Sequence, residues 1–135
     1  MPETLPENVR AFLRDHVESY EQLELLLFLR EQHALEWSMR QIAERMHFPA
    51  DEIDEAVRGL VVAGCVVERA QPERAIRYAP RDEGQAAAID ALAAAYAARP
   101  LAIIKLMNAN AIERVRSAAI DTFADAFVLG RKKDG

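Results

Sequence analysis

The sequence predicts a mainly α-helical protein with one small β-hairpin, and three observations predict it. Apolar Ile53, Ala56, Val57, Leu60 and Val61 recur at the spacing that lines one face of a helix, without a miss. At "CVVERAQPERAIRYAP" the period changes, and two runs rich in Val, Ile and Tyr flank the short loop "AQPER". Beyond Pro80 an alanine-rich run, "RDEGQAAAIDALAAAYAA", returns to helix, because alanine loses least on entering one.

The chain has 135 residues, half of them apolar, which suffices for one domain with a real core and would cramp two. "ENVRAFLRDHV" places Val9, Phe12, Leu13 and Val17 at helical spacing. Ser19 with Gln22 fits a capping box and starts a second helix, "YEQLELLLFLREQ". That helix is apolar on most sides and is therefore expected at the centre of the domain. Ser38 with Gln41 is a second capping box, opening a short helix with Ile42, Ala43 and Met46 inside and Trp37 and Phe48 as its staple. Gly64 falls where a helix C-cap glycine belongs. Pro100 is expected to kink or break the alanine-rich helix. "LAIIKLMN" resumes it, and Asn110 with Glu113 predicts the cap of a last helix carrying Ile112, Val115, Ala119, Thr122, Phe123 and Phe127. "GRKKDG" reads as a solvated tail, and no internal repeat is visible.

The net charge of -5 works against non-specific attraction to nucleic acid or anionic lipid. It is unevenly spread, because residues 99–135 carry +3 and residues 1–98 carry −8. A single cysteine, Cys65, permits no internal disulfide, and its valine neighbours mark it as a small buried hydrophobe. "MPETLPENVRAF" lacks the pattern of a secretory signal, and "LELLLFL" is far too short to span a bilayer. A cytoplasmic location, away from any membrane, is the expectation.

The stretch "EWSMRQIAERMHFPADEIDEAVRGLVVAGCVVE" joins these elements in a recognisable order. An apolar helix is followed by an aromatic just before a capping Ser, then "IAERM", a short turn, and an amphipathic helix ending "LVVAGCVV". Across roughly residues 20–80 this resembles the winged helix-turn-helix domain of bacterial transcriptional regulators of the MarR-like kind. The resemblance implies three parts: residues 1–19 as an N-terminal helical extension, 20–80 as the winged domain, and 81–135 as a C-terminal helical segment for dimerisation. It places helix 50–63 in a major groove and the hairpin around Gln71–Arg74 against a neighbouring phosphate or the minor groove. Ser38, Arg40, Gln41, Arg58, Arg69, Arg74 and Arg77 are then the candidate contacts to double-stranded DNA. Ile103, Ile104, Met107, Phe123 and Phe127 are the candidate homodimer interface, the alternative being that these helices pack onto their own domain.

The exposed residues of helix 50–63 depart from that pattern. Helix-turn-helix readers present the first turns of the second helix to base edges, and here those turns hold Asp51, Glu52, Asp54 and Glu55. One acid in a groove can accept a hydrogen bond from cytosine N4; four carboxylates beside phosphates are repelled. The acids have two readings. Carboxylates in a first turn gain about 0.3–1 kcal/mol each from the helix dipole, on a face any solvated helix leaves charged. Alternatively, Asp51, Glu52, Asp54 and Glu55 form an acidic face that binds a basic partner protein or excludes DNA. Over residues 34–80 six arginines meet eight acids, with Arg69 expected to pair with Glu73 or Glu68, whereas DNA-binding domains of this size are usually basic.

Nothing predicts catalysis. His16, His33 and His47 fall in three different elements, and no paired His or Cys spacing suits a metal. No nucleophile elbow, phosphate-binding glycine loop or dinucleotide motif is present. The expected function is a winged-helix DNA-binding transcriptional regulator without enzymatic activity, cofactor or metal. The alternative is a winged-helix protein-interaction module that uses the acidic face of helix 50–63.

Overall fold

A computed structural model describes residues 4–134, and the side chains of residues 4–126. It is mainly helical, with a small antiparallel sheet of three strands: α1 (Glu7–His16), α2 (Tyr20–Glu31), β1 (Glu36–Ser38), α3 (Met39–Met46), α4 (Ala50–Ala63), β2 (Val66–Arg69), β3 (Ala75–Tyr78), α5 (Glu83–Ala98) and α6 (Pro100–Asp134).

The local signals act where the sequence puts them. Ser19 accepts the Gln22 N–H at 3.1 Å and starts α2. Ser38 and Gln41 exchange both bonds of a capping box at the head of α3. Gly64 ends α4 at φ 79, a left-handed conformation in which a β-carbon is strained. α2 buries Leu23, Leu25, Leu26 and Leu29, so it touches core on several sides and packs on both α4 and β3.

One buried cluster runs from Leu5 through α1, α2, α4 and the sheet to Ile103 and Met107 of α6. The segments expected as an N-terminal extension and a C-terminal appendage therefore share the core of residues 20–80. α1 lies against α5 and α6, and α5 crosses behind α2, where Arg30 bonds Asp90 at 2.8 Å and Tyr96 donates to Glu24 at 2.8 Å. Gln85 ties α5 to the end of α4. Its backbone N–H meets the Asp82 carboxylate at 2.7 Å, and its side chain donates to the Ala63 carbonyl at 2.8 Å.

Three expectations are corrected. The hairpin is two strands of a sheet with the order β1-β3-β2, because Trp37 pairs opposite Ile76. A strand of three residues has no period to detect, and its partner lies far along the chain. Trp37 and Phe48 do not staple α3 together: Trp37 stands edge-on to Phe28 at 4.8 Å, and Phe48 meets Tyr20 at 6.3 Å. Pro100 does break the alanine-rich helix, but the residues from Pro100 onward form one helix of 35 residues, not two. Pro100 takes its first position, where its missing N–H is no loss. Asn110 sits inside that helix and caps nothing.

α6 leaves α5 at a bend of 117° and passes along α1. Arg114 donates to the carbonyls of Arg14 at 3.2 Å and Val17 at 3.1 Å, covering the C-terminal end of α1, where a cation is favoured. From Val115 to Ala126 every residue of α6 is exposed.

Candidate functional site

α4 shows most clearly how the fold presents charge. Ile53, Ala56, Val57, Leu60 and Ala63 are buried, with Val61 half-buried beside them. The opposite face is left with Asp51, Glu52, Glu55, Arg58 and Val62, and Val62 is 88% exposed. Pro49 at the N-cap offers no side-chain bond, so Asp51 and Glu52 are the acidic groups of the first turn.

This face is one wall of a cleft of about 650 Å³. The other wall is the corner between α1 and α2, which brings Asp15, Glu18 and Glu21 opposite Glu52 and Glu55. Gln22 and Gly59 lie at its floor. Gln22 is almost fully buried, accepts the Glu18 N–H at 3.0 Å and donates to the His16 carbonyl at 2.6 Å. A β-carbon on Gly59 would stand 2.8 Å from the Gln22 amide nitrogen, so glycine is what lets α4 approach the corner. The carboxylates at 15, 18 and 21 were not legible as part of this site. They are distant from α4 in sequence, and only the packing of α1, α2 and α4 unites them.

Of the four acids expected to act together, Asp54 is set apart. It is half-buried on the side facing the β2–β3 loop, where Arg74 hydrogen-bonds it while Arg58 pairs with it at 3.1 Å. The Arg74 hydrogen bond holds the Asp54 carboxyl below its usual range, against partial desolvation and with help from the charge of Arg58. Asp51, Glu52 and Glu55 stay exposed.

The arginines expected at DNA meet carboxylates of their own chain. Arg74 bonds Glu68 as well as Asp54. Arg69 reaches across the sheet to Glu36 at 2.9 Å and donates to the carbonyls of Gln71 at 2.6 Å and Glu73 at 3.3 Å, so the carboxylate it pairs with is Glu36 and not that of Glu73 or Glu68. Its hydrogen bond to Glu36 lowers that carboxyl and raises the guanidinium. Arg40 pairs loosely with Glu44 at 3.7 Å. Arg77 is exposed on β3, opposite Glu36 in register. Arg45 lies over the Phe28 ring at 5.8 Å. Ser38 is half-buried and Gln41 exposed, and each has a side-chain oxygen engaged in capping α3. Glu36, Glu44 and Glu73 share a second hollow of about 550 Å³ with Arg40 and Arg69, so that surface is mixed in charge rather than basic.

The candidate dimer residues divide. Ile103 and Met107 are buried in the chain's own core, and Ile104 is half-buried against it. They are corrected from interface to core, because α6 turns this face onto α1 and α5. Phe123 is 74% exposed, and the side chain of Phe127 lies outside the described residues.

Cys65 is fully buried, and desolvation pushes its thiol up to about 11, which keeps it protonated at neutral pH. Among the described residues no group of three His, Cys, Asp or Glu is placed to hold a metal ion. No single helix there is long and apolar enough to cross a membrane; α5 and α6 reach that measure only as a pair bent by 117°. Comparison with protein-family models, with curated proteins and with solved structures found no match to this chain.

Proposed function

We propose that this chain is a winged-helix protein-interaction module, without enzymatic activity, whose acidic α4 face receives a cationic protein segment rather than DNA. One observation carries the reading: the arginines nearest α4 are bound by carboxylates of the same chain, while Glu52 and Glu55 face three further acids across an open cleft. Phosphate contacts dominate affinity for DNA, and Arg58, Arg69 or Arg74 drawn to a phosphate would leave an internal partner. A cationic segment would instead meet Glu52 and Glu55 without breaking an ion pair, although Asp15 on the facing wall is already bonded to Arg14 at 3.0 Å. The order of α2, β1, α3 and α4, followed by β2 and β3, supports the winged-helix fold.

A DNA-binding transcriptional regulator is the second reading. It is favoured by α3 and α4 standing in helix-turn-helix order beside the β2–β3 hairpin. Arg40 supports it too, since its pair with Glu44 is long, exposed and cheaply broken.

Fluorescence anisotropy separates the two. The full chain is titrated against a labelled Lys/Arg-rich peptide and against random duplex DNA, at about 50 mM salt, where phosphate contacts are strongest. The interaction reading expects peptide binding that Glu52→Gln with Glu55→Gln weakens at least ~10-fold, a loss of about 1.4 kcal/mol. The control Glu83→Gln, outside the cleft, is expected to change little. Tight DNA binding by the unaltered chain, with no effect of the cleft substitutions on the peptide, overturns the proposal. Alanine at Asp51, Glu52 and Glu55 is expected to raise DNA affinity, because it removes repulsion and leaves the Asp54 pairs intact.

A further inference from the structure

Arg58 stands on the α4 wall of the cleft, beside the carboxylates that a cationic segment would need. With about 100° between successive helical residues, it lies one turn beyond both Asp54 and Glu55. It is about 40° around the helix from the first and about 60° from the second, within pairing reach of either. Turned to Glu55, it would neutralise a cleft acid from within the chain. It pairs instead with Asp54 at 3.1 Å, on the side that faces the β2–β3 loop.

Arg74 accounts for the choice. Its guanidinium hydrogen-bonds Oδ1 of Asp54 while Arg58 takes Oδ2, so both carboxylate oxygens are engaged. Arg74 also bonds Glu68, and these two acids and two arginines together carry no net charge. An exposed ion pair gains little because two long side chains must be ordered to make it. Asp54 is already held, with its side chain 33% exposed, so only Arg58 has to be ordered on it. Glu55 is exposed, and a pair there would order both partners.

We propose that Asp54 is a positioning residue of the cleft: it holds Arg58 off Glu55 and so leaves the α4 carboxylates open to a cation from outside the chain. This role rests on the cleft being the site of a cationic segment, and Asp54 acts there only through Arg58. It has a signature that charge counting lacks. If the two residues acted as independent charges, removing Arg58 would favour a cationic ligand by the same factor whether or not Asp54 is present. If Asp54 restrains Arg58, the two effects depend on each other.

A double-mutant cycle tests it, with the full chain and the labelled Lys/Arg-rich peptide followed by fluorescence anisotropy. Asp54→Asn is expected to weaken peptide binding at least ~3-fold, because Arg58 is released toward Glu55. Arg58→Gln is expected to raise affinity at least ~3-fold more in the Asp54→Asn chain than in the unaltered one. A hairpin loosened by Asp54→Asn would act alike whether residue 58 is Arg or Gln, so a merely structural role does not produce this difference. As a second measurement, the loss caused by Asp54→Asn is expected to shrink in a Glu55→Gln chain, where Arg58 has no cleft acid to turn to. Equal gains from Arg58→Gln in the two chains, or an equal loss from Asp54→Asn with and without Glu55, overturn the positioning role and leave the cleft as the binding site. No peptide binding by the unaltered chain, or binding indifferent to Glu52→Gln with Glu55→Gln, overturns the cleft reading and this role with it.

Discussion

Arg74, in the loop between β2 and β3, hydrogen-bonds Asp54 on α4 and so ties the hairpin to the helix it follows. The same guanidinium bonds Glu68 on β2, so one side chain joins loop, strand and helix. Residues that a basic, DNA-facing surface would need free are here part of the fold's internal wiring.

Replacing Arg74 by Gln is expected to loosen that tie with little change in helix content. Amide exchange should rise in residues 67–78 and stay unchanged in α2. The effect has a defined pH dependence. Asp54 is held below its usual range in the fold, so the pair contributes fully above the unfolded carboxylate value of about 3.9. Its contribution is lost as pH falls through the lower folded value, while Arg74 remains charged. The difference in Tm between the native chain and Arg74→Gln should therefore be constant near neutral pH and vanish in strong acid. A difference that persists there would mean that Arg74 acts through packing.

Gly59 and Gln22 form a second testable pair. Gly59→Ala gains about 1 kcal/mol of helix propensity but drives its β-carbon into the buried Gln22 amide. Displacing that amide breaks its bonds to the half-buried Glu18 N–H and His16 carbonyl, at about 0.5–1.5 kcal/mol each. The loss outweighs the gain, and denaturant unfolding should show net destabilisation. In a Gln22→Ala background the obstacle is gone, and the same Gly59→Ala change should become stabilising. Equal effects in both backgrounds would remove the steric account.

Gln85 is expected to matter more than a surface glutamine would. Gln85→Leu keeps bulk but leaves the Ala63 carbonyl at the end of α4 without its donor, and it removes the bond to the Arg81 N–H. A loss of about 1–3 kcal/mol is expected by chemical denaturation, since these groups sit against the core. Asp82→Ala removes the cap of α5 and a loose, exposed pair with Arg81 at 3.6 Å, and should cost about 1 kcal/mol.

Ile103 separates folding from association. Ile103→Ala should destabilise the chain by about 2–5 kcal/mol, because it opens a cavity in a fully buried site. At temperatures where the variant remains folded, any self-association should match that of the unaltered chain. A selective loss of self-association without loss of stability would return Ile103 to the interface.

The sequence by itself determined the elements whose signals are local. The stripe from Ile53 to Leu60, the Ser38–Gln41 capping box, Gly64 at a positive φ and the break at Pro100 each involve neighbours a turn or less apart, where backbone geometry sets what is allowed. It also identified an acidic outer face on α4. Tertiary structure decided what depends on residues distant in the chain. Strand β1 exists because Trp37 meets Ile76, and Asn110 loses its role as a cap because α6 continues along α1. Ile103 and Met107 became core while Phe123 stayed outside, although all three read alike as apolar helix positions. The charges divided in the same way. Asp54 and Glu52 are two residues apart, yet one meets Arg74 and the other faces the cleft, because a helix turns successive side chains by about 100° and only the packed neighbours determine what each one finds.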